Sequence, residues 1–220
     1  VTILQSVDIN SVARMHSVKV DGILNLESAK VSNLNIEAKD FSAEDGNSTF
    51  SASLIDSELS ELSFNVRLSE QLFSSIVAIQ DIKVSGPNST ASQATIETLV
   101  TEEAREFKID LPDLEISELG ASLQDLKVTG KFDQSNVLQD LNIDIVDGTL
   151  FKNSPRFSGI FASTNKLVGD KYHSHVKGNL EKDEMSIADA FIGTLPSGQF
   201  LIDLGLDIST SEVTSKSIIN

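Results

Sequence analysis

Two closely spaced histidines are the residues whose type and spacing come nearest to a metal-binding site. In the segment Tyr172–His175, one residue separates His173 from His175. On a β-strand alternate side chains lie on the same face, so both imidazoles would lie together, as two ligands of one metal ion must. A third ligand is required, and no other His or Glu stands at a spacing that would supply it. We therefore interpret the two histidines as an exposed pair that binds no metal.

Other motifs for catalysis or cofactor binding are absent from the sequence. The segment Asp144–Gly148 lacks the further acidic ligands and closing Glu of a calcium-binding loop, and its Asp-Gly step predicts a hairpin turn. The glycines stand singly rather than in a phosphate-binding loop, and no Gly-x-Ser-x-Gly element surrounds a serine. The chain has no cysteine for thiol catalysis or disulfides. We expect no enzymatic activity, no catalytic residue and no cofactor.

Composition favours a folded domain and argues against nucleic acid as a partner. The 220 residues are 40% hydrophobic and 23% charged, which is ordinary for a globular protein with a sizeable core. The net charge of -16 would repel nucleic acid and anionic membrane surfaces. The absence of cysteine suits a periplasmic or extracellular protein. Because the chain starts without Met and ends without an obvious stop, we expect a segment of a longer protein.

A short frame of residues recurs along the chain and predicts β-strands. From Leu126 to Phe132, apolar residues or glycine alternate with polar ones, the period-2 pattern of a strand with one apolar face. Leu123 is out of phase with Leu126, and a β-bulge at Gln124–Asp125 would return both to one face. The full frame is apolar-x-polar-apolar-x-apolar. It occurs at Met15–Val20, Val31–Ile36, Leu59–Phe64, Ile79–Val84, Leu111–Ile116, Leu123–Val128 and Leu138–Ile143.

Further strands are predicted between turn signals, and two segments also allow a helix. Apolar and polar residues alternate over residues 62–68, which predicts a strand there. Residues 69–80 have helical spacing behind Ser69, which indicates a short helix. Residues 97–107 fit either a helix or a hairpin tip, and we favour the hairpin. The other predicted elements are Val1–Gln5, Val18–Leu26, Val31–Phe41, Thr49–Ile55, Ala121–Phe132, Val137–Val146, Arg156–Ser163, Tyr172–Leu180, a less regular Met185–Ile192 and Phe200–Ile208.

The short connections between these elements decide the fold class. They leave no room for the crossover helices that parallel strands require. The chain is therefore predicted to be all-β, a long and highly twisted antiparallel meander with at most one or two short helices. No linker, low-complexity tract or charge block divides it, so we expect residues 1–220 to form one continuous domain.

The sequence also resembles a known family. Asp125–Asp133 followed by Leu138–Phe151 is similar to the AsmA-like repeats of bacterial envelope proteins, the TamB and YdbH type, and Leu26–Phe41 and Leu59–Gly86 resemble them in style. The resemblance implies a bent sheet that forms an open groove, part of a bridge that carries phospholipid between the inner and outer membranes. It also implies a periplasmic location, an inner-membrane helix upstream of Val1, and contacts with neighbouring β-repeats and an outer-membrane partner.

An apolar groove of this kind would bind lipid acyl chains through the inward residues of the strand frame. Each methylene that leaves water contributes about 0.8 kcal/mol, while the polar outer face stays hydrated. The predicted lipid-groove residues are Leu34, Ile36, Leu62, Phe64, Val66, Ile82, Val84, Leu126, Val128, Phe132, Leu141, Ile143 and Ile145.

Two alternatives use the same residues differently. Two antiparallel sheets could face each other, and these side chains would then fill the core of a structural or adhesive β-sandwich module of a secreted or surface protein. An all-β hydrolase with catalytic groups drawn from distant residues is a third hypothesis. The abundance of medium-sized aliphatic residues on the apolar faces, with few large aromatics, favours the groove.

Overall fold

The described part of the chain consists of β-strands joined by short turns. The structure is a computed structural model that describes residues 2–4, 7–9, 13–45, 48–67, 70–86, 88–152, 156–167, 169, 171–180, 198–207 and 212–219. The strands are β1 (Thr2–Leu4), β2 (Val7–Ile9), β3 (Ala13–Met15), β4 (Ser17–Asn25), β5 (Lys30–Asp45), β6 (Ser48–Ser63), β7 (Phe73–Val84), β8 (Ser89–Val100), β9 (Ala104–Ile116), β10 (Ala121–Asp133), β11 (Leu138–Thr149), β12 (Arg156–Lys166), β13 (Lys171–Leu180), β14 (Gly198–Asp207) and β15 (Glu212–Ile219). Over these ranges there is no α-helix, and hence none with the length and hydropathy to cross a membrane.

The strands follow one another as an antiparallel meander. The chain divides into two compact units, Val1–Pro112 and Asp113–Asn220, with the boundary inside β9. In the first unit the strand order is β1-β4-β5-β6-β7-β8-β9, with β3 also pairing with β2 and β5. In the second unit the order is β10-β11-β12-β13-β14-β15. The meander is not closed, and the predicted all-β antiparallel fold is confirmed; one continuous domain over residues 1–220 stays a prediction.

Three of the seven strand frames have a backbone kink at their third residue. Asn33, Asp81 and Asp125 each occupy that position in a frame, and each has φ near 50° inside a strand. Asp and Asn adopt this left-handed conformation more readily than other non-glycine residues. In β12, Gly159 has φ 57° at the same position of the segment Phe157–Ala162. A residue with left-handed φ inside a strand therefore shifts the alternation of side chains, so that residues three apart lie on the same face.

The kink at Asp125 puts Leu123 and Leu126 on one face, as predicted. Both side chains pack against a cluster centred on Ile145 and Phe157. The predicted cause was a β-bulge, which would insert an extra residue into β10 relative to β11. That prediction is wrong. The pairs Gln124↔Asp147 and Leu126↔Ile145 stay in step on either side of the kink. The reset comes from the left-handed φ of Asp125 and not from an inserted residue.

In the first unit the kinks line up across neighbouring strands. Asp40 has φ 50° in β5 and Asp81 has φ 51° in β7. The residues before and after each kink stay in register with the neighbouring strands. The kinks of β5 and β7 therefore lie in one row that crosses the sheet. The pairs that define the row are Ala38↔Ile55, Phe41↔Ala52, Ile55↔Ile79, Ile79↔Ala94 and Ile82↔Ala91.

Two predictions around the β6–β7 connection are wrong. β6 ends at Ser63, so the strand predicted over residues 62–68 stops after its second residue. The amide side chain of Gln71 explains the early stop, because it bonds the main chain of Ser63 and Val66 and closes a turn. Residues 73–80 of the predicted short helix over residues 69–80 belong instead to β7, because cross-strand pairing with β6 outweighs the helical spacing.

The hairpin turn predicted within Asp144–Gly148 is also wrong. β11 continues to Thr149, and Asp147 and Gly148 pair with Gln124 and Leu123 of β10. A Cβ at Gly148 would lie 2.4 Å from the carbonyl oxygen of Ser122, so glycine here permits close approach of two strands and not a turn. By contrast, the hairpin favoured within residues 97–107 is confirmed, with Val100 ending β8 and Ala104 starting β9. Met185–Ile192 lies outside the described residues.

Candidate functional site

One face of the second unit carries a continuous row of apolar side chains. Ile145 pairs with Leu126 on one side and Ile160 on the other, and Ile143 pairs with Val128 and Ala162 in the same way. Opposite residues in an antiparallel pair lie on the same face of the sheet. The buried members of this apolar face are Ile145, Phe157 and Ile160, and Leu123, Leu126, Ile143 and Val176 pack around them half-buried.

The first unit has a corresponding apolar face in which the small side chains are the buried ones. Alanines 38, 52, 91 and 94 are 3–7% exposed, and Val18 is 9% exposed. Larger aliphatic residues on the same face, such as Leu34 and Ile82, are half-buried. An alanine next to the backbone is covered by its taller neighbours, whereas those neighbours extend beyond the sheet. The face therefore presents apolar surface that the unit's own side chains do not cover.

The described strands of each unit belong to one continuous hydrogen-bonded sheet. A sandwich core requires a second sheet at about 10 Å from the first. The described strands of each unit supply no such separate sheet.

The structure brings most of the predicted lipid-groove residues onto these faces. In the first unit Leu34, Ile36 and Leu62 lie on paired rows of β5 and β6, and Ile82 and Val84 continue them on β7. Phe64 and Val66 lie in the turn after β6 and are 69% and 41% exposed. In the second unit the predicted residues on β10 and β11 share the face of the Ile145 cluster; they are Leu126, Val128, Phe132, Leu141, Ile143 and Ile145.

Sequence reasoning missed several residues of the same faces. Phe157 and Ile160 flank Gly159, so their segment has the spacing of the strand frame with glycine at its polar position. Ala38 and Phe41 likewise flank Asp40, but alanine was not counted as an apolar frame residue. A frame that allows Gly at its third position and Ala at its first and last positions includes both segments.

The face opposite the apolar face is polar and carries ion pairs. Lys127 and Asp144 are opposite each other in the register of β10 and β11. In the first unit the Lys108 ammonium lies 2.7 Å from Asp110 and 3.1 Å from Glu97. Hydrogen bonds to these two carboxylates, that to Asp110 first, raise the pKa of Lys108 above its usual value. Each sheet therefore has one hydrated side and one apolar side.

The histidine pair lies among aromatic and hydroxyl groups. The rings of His173 and His175 are 6.4 Å apart, so the prediction that they lie on one side of their strand is confirmed. His175 Nδ1 is 3.0 Å from the hydroxyl of Ser163, and its ring is 5.7 Å from that of Phe161. Among the side chains that the structure describes, no three His, Cys, Asp or Glu gather as metal ligands.

A shallow pocket of about 390 Å³ opens between β5, β6 and β7. Its polar side chains include Asn35, Glu58 and Ser74. Glu58 is its one titratable group, so it offers no acid–base pair and no nucleophile with an adjacent base. The apolar faces are therefore the better candidate site.

Fold and site together define the chain as an all-β antiparallel meander with one apolar side in each unit. No family model, no curated protein and no solved structure matches the chain.

Proposed function

We propose that the apolar faces bind the acyl chains of phospholipid, without catalysis, as a segment of a lipid-transfer protein. The observation that supports this is the arrangement of burial: alanines next to the backbone are buried, whereas taller aliphatic side chains on the same face are only half-buried. An acyl chain laid along such a row would lose contact with water on one side. At about 0.8 kcal/mol per buried methylene, a few methylenes suffice for measurable binding.

The AsmA-like resemblance supplies the biological setting of the proposal. The chain would be part of a periplasmic bridge that moves phospholipid between inner and outer membranes, anchored by an inner-membrane helix outside this segment. Neighbouring β-repeats of the same protein would extend the apolar face, and an outer-membrane protein would receive the phospholipid. The meander supports this setting because an open sheet can be lengthened by adding strands at its edge.

The alternative of a structural or adhesive β-sandwich has less support. Its core would need a second sheet over the apolar face, and the described strands of each unit all belong to one sheet. The half-buried state of Ile143 and Val128 is also unlike a sandwich core, where such residues are fully buried.

Lipid analysis of matched variants tests the proposal. The chain is purified without detergent, and bound phospholipid is extracted and measured by mass spectrometry. We expect phospholipid in the wild-type protein and at least a severalfold loss in Ile143→Asn, which places an amide on the apolar face. Val146→Asn is the control, because Val146 lies on the same strand and is 54% exposed outside the Ile145 cluster. Absence of phospholipid from the wild type, or equal amounts in both variants, would refute the proposal.

A further inference from the structure

One end of the first unit presents large apolar side chains on two adjacent turns. The turn between β4 and β5 carries Leu26, which is 82% exposed, and the turn after β6 carries Phe64 and Val66 at 69% and 41%. Leu24, at the end of β4, is 55% exposed. We call these four residues the apolar tip.

The structure holds the two turns of the apolar tip together and in fixed shapes. The main-chain N–H of Phe64 donates to the carbonyl of Ala29, which joins the second turn to the first. The side chain of Asn25 accepts hydrogen bonds from the N–H groups of Glu27 and Ser28. The exposed apolar residues therefore sit on ordered turns and do not fold back onto the sheet.

A buried glutamine clamps the second turn. Gln71 is 9% exposed, and its amide donates to the carbonyls of Ser63 and Val66 and accepts from the N–H of Ser63. Burial of an amide costs free energy unless its hydrogen bonds are made, and here three are made to one turn. The clamp keeps Phe64 at the surface.

The apolar tip continues the apolar face of the first unit. Leu24 pairs with Val31, and Val31 pairs with Leu62. These three residues form the last row of the face before the turns. At the opposite strand ends, the turn sequences Asp45–Ser48 and Ser85–Asn88 contain no large apolar residue. At the β4–β5 and β6–β7 connections the face is therefore apolar up to its turns, whereas the two opposite turns are polar.

A bilayer surface fits the apolar tip better than a protein partner does. A specific protein interface buries about 1,200–2,000 Å² with matched shape, far more than two short turns can offer. A lipid surface requires no matched shape, and a few large side chains inserted below the headgroups suffice. The charges beside the tip are mixed, Glu27 and Glu70 against Arg67, and the chain as a whole carries -16, so nothing attracts an anionic surface and zwitterionic lipid is the expected contact.

We propose that the apolar tip inserts into a zwitterionic bilayer and is the end at which an acyl chain passes between the membrane and the apolar face. The inference rests on the proposed lipid-binding function. It adds a point of entry and a direction along the face to that function.

Flotation on phosphatidylcholine vesicles tests the insertion. We expect the wild-type chain to float, and Leu26→Asn/Phe64→Asn to float at least about tenfold less, since two large side chains no longer enter the apolar layer. Leu167→Asn is the matched control, because Leu167 is 52% exposed and lies in the turn after β12. If the double variant unfolds by circular dichroism, the single Leu26→Asn variant replaces it. Failure of the wild type to float, or equal flotation of the tip variant, would overturn the inference.

A second measurement separates this inference from the proposed function. Dihexanoyl phosphatidylcholine below its micelle concentration reaches the apolar face without a membrane. We expect the single variant Leu26→Asn, at a tip residue outside the predicted lipid-groove set, to bind it as the wild type does, yet to take up a fluorescent phospholipid from vesicles at least severalfold more slowly. Flotation of the wild type without binding of the short-chain lipid would refute the proposed function and leave the tip as a membrane contact alone. Uptake at an unchanged rate in Leu26→Asn would overturn the inference while the proposed function stands.

Discussion

Replacing Asp125 by valine should destabilise the fold by about 1–3 kcal/mol. Asp125 has φ 50° within β10, a conformation that costs a β-branched residue much more than it costs Asp. A valine that kept this φ would bear the strain of the left-handed region, about 1–2 kcal/mol. A valine that relaxed to regular strand geometry would turn Leu123 away from the Ile145 cluster, and the lost burial of a half-buried leucine is of similar size, about 1 kcal/mol. Both routes predict a loss.

Thermal and urea unfolding measure this effect. A loss of about 2 kcal/mol corresponds to a fall in Tm of about 4–8 °C for a chain of this length. Asp125→Gly removes the strain of the Asp side chain and should stay within about 1 kcal/mol of the wild type. Asp144→Val, on exposed regular strand in β11, is the control and should be neutral or slightly stabilising. If Asp125→Val were as stable as Asp144→Val, the kink would not be what places Leu123 on the apolar face.

Three further predictions concern the stability of the chain. Phe157→Ala should cost about 3–5 kcal/mol in urea unfolding, because Phe157 is 6% exposed in the apolar cluster, whereas Val146→Ala at 54% exposure should cost less than about 1 kcal/mol. The hydrogen-bonded Arg156 guanidinium lowers the pKa of Asp147, so this pair stabilises the fold above the carboxyl's unfolded pKa, and the contribution is lost as pH falls through the folded value. Arg156→Gln should therefore be less stable at pH 7 by up to about 1 kcal/mol, and its difference from the wild type should shrink as pH falls below about 4 and vanish only below the folded pKa of Asp147; a constant difference would contradict this. Gln71→Leu should speed amide hydrogen exchange in residues 64–66 at least severalfold, since the clamp on that turn is lost, and unchanged exchange there would show that the clamp is not needed.

The fold class follows from the sequence because alternation and turn signals agree over most of the chain. At Leu123–Val128 the frame even indicated that residues three apart share a face, which the kink at Asp125 produces. The frame at Leu59–Phe64 has the same spacing, but no residue of it has positive φ, and its last member lies in a turn. Spacing alone therefore does not decide where a kink forms, because the register with neighbouring strands also has to accommodate it.

The limits of the strands were harder to predict than their existence. Gln71 ends β6 from eight residues further along the chain, through hydrogen bonds that no local pattern reveals. Gly148 looks like a turn residue, yet it serves close approach to Ser122 of the neighbouring strand. In both cases a contact between distant segments decides the local structure, and a single sequence without its pairing register does not show that contact.

The kinks explain how such long strands stay one-sided. A regular strand places residues three apart on opposite faces, so the pair Leu123 and Leu126, like the pair Phe157 and Ile160, would be split between the polar and apolar sides. A left-handed residue between the members of each pair restores them to one face, and cross-strand pairing carries the correction to the partner strands. An apolar face can then continue past the kink without exposing leucine on the hydrated side. If the proposed lipid binding is correct, the Asp, Asn and Gly residues at the kinks are as necessary to it as the aliphatic residues that would touch the lipid.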